Sequence, residues 1–319
     1  MIMPNLAKLE NGLRVDLWTY ESEHHGWHVY GQGTVSGGQV VPDPGVEFFQ
    51  VKCALGLGEV LAFWARVLGG LVGGDPVDLA TGLLTVDKTD LVLPGVLPIV
   101  LQRSYRQGDT GTRSFGVGQT GWLDMYLTGD HSTYQWAELV LADGARVRFT
   151  RTSSGTDKAS AVMEHTATPT AFQKAQLAWS VALNLWQVTL RDGTVWQFQA
   201  TNANWGPGNM LVGIRDRFGH QLTIQRWVYP LNSKATHLPQ RIVAPNGRTI
   251  EFTLDTTDIT KLVVTQARDL SAGRTVSYSY DSQLRLTQVT DAGGGVTAYT
   301  YDGTSSRIHT ITDGRGSCS

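Results

Sequence analysis

The chain has 319 residues, of which 41% are hydrophobic, so it is long enough and apolar enough to bury a core and is not a disordered tail. Charged residues make up 17%, against roughly 25% in typical soluble domains, whereas 36 glycines and 10 tryptophans indicate many turns and large aromatic side chains. The formal net charge of −2, without a run of basic residues, argues against a nucleic-acid partner, because phosphate recognition needs a clustered basic excess.

Residues 1–50 are predicted to form an amino-terminal β-hairpin region, and the stretch HGWHVYGQGTVSGGQVVPDPGVEFF looks like the hairpin itself. The opening sequence lacks the charged start, apolar stretch and cleavage site of a signal peptide. His24, His25 and His28 are close enough in sequence to suggest a metal site. Gly26 interrupts any helix that would align them, which favours exposed histidines without a metal.

Residues 51–72 are predicted to form an amphipathic helix and a glycine-rich linker. Apolar side chains recur at helical spacing and place one short helix near residues 55–70. Membrane contact through residues 53–72 is the alternative. A full span would place Glu59 and Arg66 in the bilayer, at about 2.5 to 3.5 kcal/mol for a central charge.

The remainder of the chain has the pattern of an all-β protein. Short alternating runs rich in Val, Thr, Tyr and Trp are separated by Asp-Gly or Asn-Gly pairs, which supply the positive φ angles of tight hairpin turns. Three hairpins are predicted around Asp143-Gly144, Asp192-Gly193 and Asn246-Gly247. The stretch from Ser153 to Gln176 alternates little and is predicted to be a loop or an excursion on the sheet. The sequence therefore predicts antiparallel hairpin repeats.

A repeat of about 22 residues occupies the last part of the chain. LVVTQARDLSAGRTVSYSYD aligns with LRLTQVTDAGGGVTAYTYDG, a third copy begins at RIHTITDGRG, and looser copies lie upstream, with Leu254-Asp255 in place of Tyr-Asp. Each copy is predicted to be a strand, a turn and a strand, and the Asp of Tyr-Asp to bond the backbone of the next turn rather than to catalyse. The repeat signature, predicted to be structural, consists of Asp269, Tyr278, Tyr280, Asp281, Asp291, Tyr299, Tyr301, Asp302 and Asp313.

The sequence GDPVDLATGLLTVDKTDLVLPGVLPIVLQRSYRQGD, followed by SFGVGQTGWLDMYL, resembles the domain that precedes the repeats in bacterial RHS (rearrangement hot spot) proteins, and the Tyr-Asp units resemble the YD repeats of that family. The resemblance assigns residues 73–205 to this pre-repeat domain and residues 206–319 to degenerate and then regular repeats. Gln119-Thr120-Gly121-Trp122 departs from the family pattern and is predicted to be a small insertion in a loop. The pre-repeat signature, predicted to be structural, consists of Gly74, Asp75, Pro76, Gly82, Pro94, Gly95, Pro98, Arg103 and Tyr105.

The resemblance implies a secreted or surface-located scaffold, because the repeats of this family spiral into a hollow β shell that encloses a carboxy-terminal toxin. It implies encapsulation or delivery of that effector, without catalysis. Three late repeats cannot enclose a cavity, so we expect a truncated shell whose last strands leave an unpaired edge. The implied partners are the missing carboxy-terminal shell and toxin, secretion machinery, or another cell surface.

No catalytic, cofactor or metal motif is present in the sequence. The phosphate-binding loop, the zinc-protease helix motif and the nucleophile elbow are all missing, and Cys53 and Cys318 give neither a disulfide framework nor a zinc spacing. The alternative function is a carbohydrate-binding surface adhesin, since exposed aromatic rings stack on sugars. The alternation of Trp196 with Phe198 on one strand instead favours a place for these rings in the core. The candidate residues for sugar stacking are Trp122, Trp136, Trp179, Trp186, Trp196, Trp205 and Trp227.

Overall fold

The computed structural model describes residues 3–4, 11–21, 26–36, 39–44, 84–167, 172–200, 209–227, 237–258, 261–313 and 316–318. The chain divides into two compact units, residues 1–62 and 63–319. The described strands pair antiparallel throughout, which confirms the predicted all-β fold. The helix predicted near residues 55–70 lies outside the described residues. In the part of the chain that the structure describes, no helix is long and apolar enough to cross a membrane.

The first unit contains a four-stranded antiparallel sheet in the order β1-β4-β3-β2. The long strands β2 and β3 form one hairpin, and β3 turns into β4 through a second. Arg14 on β2 forms an exposed ion pair with Asp43, at 2.6 Å. The strands are β1 (Met3–Pro4), β2 (Arg14–Glu21), β3 (Gly26–Ser36) and β4 (Gln39–Pro42).

The second unit begins with two small sheets. A three-stranded sheet has the order β5-β6-β9, and β7 pairs with β8 in a two-stranded ribbon. A single 3-10 turn, Trp122–Asp124, follows. The strands are β5 (Thr85–Leu93), β6 (Ile99–Arg106), β7 (Thr112–Arg113), β8 (Gly116–Val117) and β9 (Gln119–Thr120).

The loop predicted at Gln119-Thr120-Gly121-Trp122 is wrong. Gln119 and Thr120 form β9 and pair with β6, and both side chains are buried. Thr120 Oγ1 donates to the carbonyl of Ala142 at 2.6 Å, and Trp122 Nε1 donates to the carbonyl of Val100 at 2.9 Å. Because these polar atoms find partners inside the protein, polar residues that resemble a loop can lie in the core.

A seventeen-stranded sheet contains the rest of the chain, and its strands lie in sequence order from β10 to β26. The stretch from Ser153 to Gln176, predicted to be a loop or an excursion on the sheet, contains one short strand, β13, and ends at the first residue of β14. The strands are β10 (Tyr126–Gly129), β11 (Trp136–Val140), β12 (Arg146–Arg151), β13 (Val162–Glu164), β14 (Gln176–Ser180), β15 (Leu185–Thr189), β16 (Val195–Gln199), β17 (Asn209–Arg215), β18 (Gln221–Arg226), β19 (Pro239–Val243), β20 (Thr249–Leu254), β21 (Val264–Asp269), β22 (Thr275–Tyr280), β23 (Leu286–Thr290), β24 (Val296–Tyr301), β25 (Ile308–Asp313) and β26 (Gly316–Cys318).

The large sheet closes on itself once, between β10 and β17. Tyr126 pairs with Met210, and Leu127 pairs with Asn209, so β10 to β17 form a closed eight-stranded ring. The second half of β17, Gly213–Arg215, pairs instead with β18. One strand therefore completes the ring and also starts the continuing sheet.

Large apolar side chains fill the ring. Trp196 and Phe198 on β16 are fully buried, as their alternation predicts, and the ring of Phe172 packs edge-on against Trp196 with 5.6 Å between centroids. Dense packing of this kind fixes the curvature of the strands, because each side chain must fit its neighbours. Other buried side chains from the ring strands are Leu127, Leu139, Phe149, Met163, Leu177, Val188 and Leu211.

Candidate functional site

Six hairpin turns along one rim of the large sheet share one backbone design. In each turn a glycine with φ between +69° and +91° donates its N–H back to the carbonyl that opens the turn. A side-chain oxygen accepts an N–H two residues further on, as Asp143 does from Ala145 at 2.9 Å. The turns predicted at Asp-Gly and Asn-Gly pairs are confirmed. The six glycines are Gly144, Gly193, Gly219, Gly247, Gly273 and Gly294.

On the opposite rim, the late repeats fix the tyrosine of each Tyr-Asp pair. The hydroxyl of Tyr280 donates to the carbonyl of Val264 at 2.6 Å, and that of Tyr301 donates to the carbonyl of Leu286 at 2.8 Å. Both tyrosines lie at a register shift of their strand. The repeat seen in the sequence is therefore also a repeat of hydrogen bonds.

The aspartate of the Tyr-Asp pair fastens the turn that follows. Asp281 Oδ1 accepts the backbone N–H groups of Gln283 and Arg285, at 2.9 and 3.0 Å, and Oδ2 accepts Nε of Arg285 at 2.7 Å. Asp302 pairs with Arg307 at 3.3 Å. Asp281 thus makes a side-chain bond to the backbone of the turn that follows, as the sequence predicts.

A buried ion pair connects the pre-repeat strands to the repeats. Asp90 is the extra residue of a β-bulge in β5, where the register shifts between Thr89 and Leu91. Its Oδ2 accepts Nε of Arg103 and the hydroxyl of Tyr278, both at 2.8 Å. The side chains of Arg103 and Asp90 are only 3% and 5% exposed. We call the contact of β5 to β9 with strands β19 to β25 the seam.

The electrostatics of the seam keep Arg103 charged and Tyr278 neutral. Burial by itself would lower the pKa of Arg103, but the charge of Asp90, the neighbouring Tyr299 and Tyr278, and the hydrogen bond to Asp90 together outweigh it, and the pKa is raised. Burial, together with the same carboxylate, raises the pKa of Tyr278 well above its ordinary value. The guanidinium carbon of Arg103 lies 5.8 and 5.9 Å from the ring centroids of Tyr278 and Tyr299. The Arg103 guanidinium therefore contacts aromatic rings from two successive repeats.

Backbone contacts extend the seam to the turns of the late repeats. The hydroxyl of Tyr105 donates to the carbonyl of Ser306 at 2.8 Å and accepts the N–H of Ile308 at 3.1 Å. The N–H of Val117 donates to the carbonyl of Leu284 at 2.9 Å. The pre-repeat domain thus binds backbone groups of the repeat turns as well as repeat side chains.

The Leu-Pro-Gly element of the pre-repeat signature touches an earlier hairpin. The carbonyl of Pro94 accepts Nδ2 of Asn246 at 3.3 Å and Nη1 of Arg248 at 3.1 Å. A Cβ on Gly95 would lie 2.9 Å from the same Asn246 amide, so only glycine fits without a shift. Pro98 is buried. These contacts seat the pre-repeat sheet across β19 and β20.

The remaining signature residues divide into described and undescribed ones. Asp269 is buried and pairs with Arg274 at 2.8 Å, Asp291 accepts the N–H of Gly293 at 2.8 Å, and Asp313 ends β25. The role predicted for the others stays a prediction. Those outside the described residues are Gly74, Asp75, Pro76 and Gly82.

Comparison with known families agrees with the geometry. Residues 74–149 match the domain of unknown function DUF6531, and residues 280–317 match the RHS repeat. The chain therefore carries an RHS repeat, preceded by a DUF6531 domain. The first matched region supplies Asp90, Arg103 and Tyr105 to the seam, and the second supplies Tyr299 and Ser306. The comparison with curated proteins gave no match.

One hairpin upstream of the matched RHS repeat makes the same hydrogen bond with a different residue, since Arg226 takes the place of the tyrosine. β18 has a register shift at Arg226, the same place in the hairpin as the shift at Tyr280. Arg226 donates from Nε to the carbonyl of Leu211 at 3.0 Å, as Tyr280 does to Val264. It also donates from Nη2 to the carbonyl of Leu123 at 2.7 Å. Arg226 thus makes the hydrogen bond to the preceding strand that the repeat tyrosine makes in later copies. It also makes a hydrogen bond to the 3-10 turn.

Buried titratable groups surround Arg226. Burial lowers the pKa of Arg226 to about 10 and raises the pKa of Asp124. The carbonyl of His237 accepts Nη1 of Arg226, while among the described residues neither ring nitrogen of His237 has a hydrogen-bond partner. Burial first, and the Arg226 charge second, lower the pKa of His237 to about 4. The cluster therefore holds His237 neutral in the folded protein.

We expect His237 to make the protein less stable in mild acid. Between pH 6.5 and about 4, the unfolded chain binds a proton on this imidazole that the folded chain does not, so the free energy of unfolding falls as the pH falls. Since the ring is partly exposed, the loss is discounted to roughly 1 to 2 kcal/mol. Urea unfolding of the protein and of His237→Gln at pH 7.5 and pH 4.5 measures it.

His237→Gln separates the effect of His237 from that of Asp124, because the two groups change the free energy of unfolding with pH in opposite directions. A carboxyl whose pKa is raised by folding binds its proton more readily in the folded state and gains stability as the pH falls. His237→Gln is expected to lose less stability on acidification than the parent does. An equal loss in both proteins contradicts the assignment.

The aromatic side chains proposed for sugar stacking divide by burial. Trp122, Trp186 and Trp196 are buried, which agrees with the core interpretation. Trp136 and Trp179 are partly exposed, but the guanidinium of Arg148 lies 4.1 Å from the Trp136 centroid, and Nζ of Lys158 lies 3.5 Å from that of Trp179. One face of each ring is already covered by a cation. Trp227 is partly exposed, and Trp205 lies outside the described residues.

Sequence analysis did not find Asp90, Asp124 or Arg226. Asp124 stands between Leu123 and Met125, and that pattern was a usable signal, because a charge among apolar neighbours needs a partner when it is buried. Among the described residues, no group of three or more His, Cys, Asp or Glu is placed to hold a metal.

Proposed function

We propose that this RHS-repeat protein is a non-catalytic scaffold that forms the amino-terminal wall of an enclosing β shell. The observation that carries the proposal is the double pairing of β17, which closes a ring with β10 and continues the sheet through β18. A sheet that continues in this way can extend by adding hairpins, since each new one needs only the edge of the last. The seam supports the proposal, because it holds the pre-repeat domain against several successive hairpins.

The partner proposed for this wall is a polypeptide that carries further RHS repeats and an effector, which the shell would enclose for delivery outside the cell. The outward side chains of the late strands favour such a wall. Strands β22 to β24 present serines and threonines to solvent, including Ser279, Thr287 and Thr300, and both matched regions belong to the wall.

The test is association. The full chain is mixed with a polypeptide of additional RHS repeats that bears an effector, and complex mass and effector digestion by protease are measured. We expect one-to-one association and slower digestion of the effector than in the same polypeptide alone. Unchanged digestion together with separate elution would refute the scaffold.

The alternative of a carbohydrate-binding adhesin rests on the two partly exposed tryptophans, Trp136 and Trp179. A glycan array separates the two functions. Binding that disappears in both Trp136→Ala and Trp179→Ala would favour the adhesin, whereas an array without binding favours the wall.

A further inference from the structure

Successive repeats carry different residues at the position that faces the space between their turns. The N–H of Asp281 donates to the carbonyl of Arg285, at 3.1 Å, and the N–H of Asp255 donates to the carbonyl of Val263, at 3.2 Å. The next residues are equivalent too, because Tyr280 and Tyr301 bond the carbonyls that follow Val263 and Arg285. Val263 therefore stands in the earlier copy where Arg285 stands in the later one.

In the later copy, Arg285 fills the space with four contacts. Its Nε bonds Asp281 at 2.7 Å, and its Nη1 donates to the carbonyls of Gly303 and Ser305, at 2.8 and 2.6 Å. Its guanidinium carbon lies 4.7 Å from the centroid of the Tyr301 ring. A carboxylate, two carbonyls and an aromatic face thus define a guanidinium site, and this protein's own arginine occupies it.

In the earlier copy the same place is a cleft of about 400 Å³, large enough for a small ligand. It is lined by Asp255, Tyr280 and Ser282, the counterparts of Asp281, Tyr301 and Gly303. Thr257 donates its N–H and hydroxyl to Oδ1 of Asp255, at 2.9 and 2.6 Å, while Oδ2 accepts no hydrogen bond from the described residues. Val263 supplies no cation.

The charges around the cleft favour a positive ligand. Hydrogen bonds from Thr257 lower the pKa of Asp255, which keeps this carboxylate ionised. Lys261, also on the cleft, is paired with Asp258 at 3.9 Å. Asp281 on the far wall already pairs with Arg285. The uncompensated charge facing the space is thus the Asp255 carboxylate.

We propose that this cleft binds a guanidinium group, the arginine side chain of a partner polypeptide, in the position that Arg285 occupies one repeat later. The carboxylate of Asp255 would accept its N–H groups, and the ring of Tyr280 would pack against its plane. Arginine is favoured over lysine because a planar fork suits a carboxylate and an aromatic face together. The inference stands apart from the scaffold proposal, since it concerns one local site.

The test uses the full chain and the peptide acetyl-Gly-Arg-Gly-amide, with binding followed by NMR shifts of the Thr257 amide and the Val263 methyls. We expect one saturable site, and at least about tenfold weaker binding of the citrulline and lysine analogues. Asp255→Asn is expected to weaken binding about tenfold. Methylguanidinium distinguishes a small guanidine from a polypeptide as the natural ligand. If the ligand is a small guanidine, methylguanidinium binds as tightly as the peptide. If the ligand is an arginine of a polypeptide, the peptide binds more tightly than methylguanidinium.

Two reciprocal variants complete the test. Val263→Arg places the missing guanidinium in the cleft and is expected to abolish peptide binding, with a raised thermal midpoint. Arg285→Val opens the equivalent space one repeat later and is expected to add a second peptide site. If the parent protein shows no saturable binding, or if Asp255→Asn and Val263→Arg both bind the peptide as the parent does, the proposal is wrong.

Discussion

Arg103→Leu is expected to lower the free energy of unfolding by about 3 to 5 kcal/mol, because it leaves the Asp90 carboxylate buried with a single hydroxyl partner. The substitution also removes the cation that lies over the rings of Tyr278 and Tyr299. Equilibrium unfolding in urea, followed by tryptophan fluorescence, measures the loss. Hydrogen exchange of β22 and β24 amides shows whether the repeats loosen first.

The chain offers a matched control in Arg241, which forms an exposed pair with Glu251 on neighbouring strands of the same sheet. Arg241→Leu is expected to cost less than about 1 kcal/mol, since solvent screens an exposed pair. A second comparison is Asp90→Leu combined with Arg103→Met, which removes both charges and should recover much of the stability. Equal losses in Arg103→Leu and Arg241→Leu would show that the buried pair contributes nothing to the seam.

Gly116→Ala is expected to destabilise the protein by about 2 to 4 kcal/mol, the sum of backbone strain and a lost contact. Gly116 has a φ of +92°, and a Cβ would lie 2.4 Å from the carbonyl oxygen of Leu284. That oxygen accepts the N–H of Val117, so relief of the clash separates the pre-repeat domain from a repeat turn. Thermal and urea unfolding measure the effect.

Gly144→Ala is the control for this substitution. Gly144 has a φ of +79°, and no atom lies within 4 Å of the position a Cβ would take. It therefore tests backbone strain alone, at about 1 kcal/mol. If the two variants lose the same stability, the close approach of Gly116 to Leu284 is not part of what holds the seam together.

The sequence carried enough information to predict the hairpins and the late repeats, because their determinants are local. An Asp-Gly pair specifies its own turn, as at Asp143 and Gly144, and a strand that alternates, such as Thr275–Tyr280, shows which face is buried. The spacing of the Tyr-Asp pairs predicted equivalent positions in successive hairpins, because each tyrosine bonds the strand directly before its own. The candidate residues Arg103 and Tyr105 were found through resemblance, and their partners were not.

What could not be predicted depends on residues far apart in the chain. Asp90 meets Tyr278 only after the sheet has formed, and the pairing of β10 with β17 has no local signal at all. Arg226 differs from tyrosine in every chemical respect except the ability to donate to a carbonyl on the preceding strand. Chemical equivalence of that kind is visible in hydrogen bonds and hidden in a residue alignment.

The closing pair of the ring has a consequence for how the chain folds. Every other neighbouring pair in the large sheet joins strands adjacent in sequence, so those contacts form over short separations. Within the described part of the large sheet, Tyr126 and Met210, with the residue beside each, pair across a long stretch of chain, so this closure carries a loop entropy that the hairpins do not. The ring is therefore expected to be the nucleus, onto which later hairpins add in the order of their synthesis. A nucleus at the start protects copies that are nearly identical from pairing with the wrong neighbour.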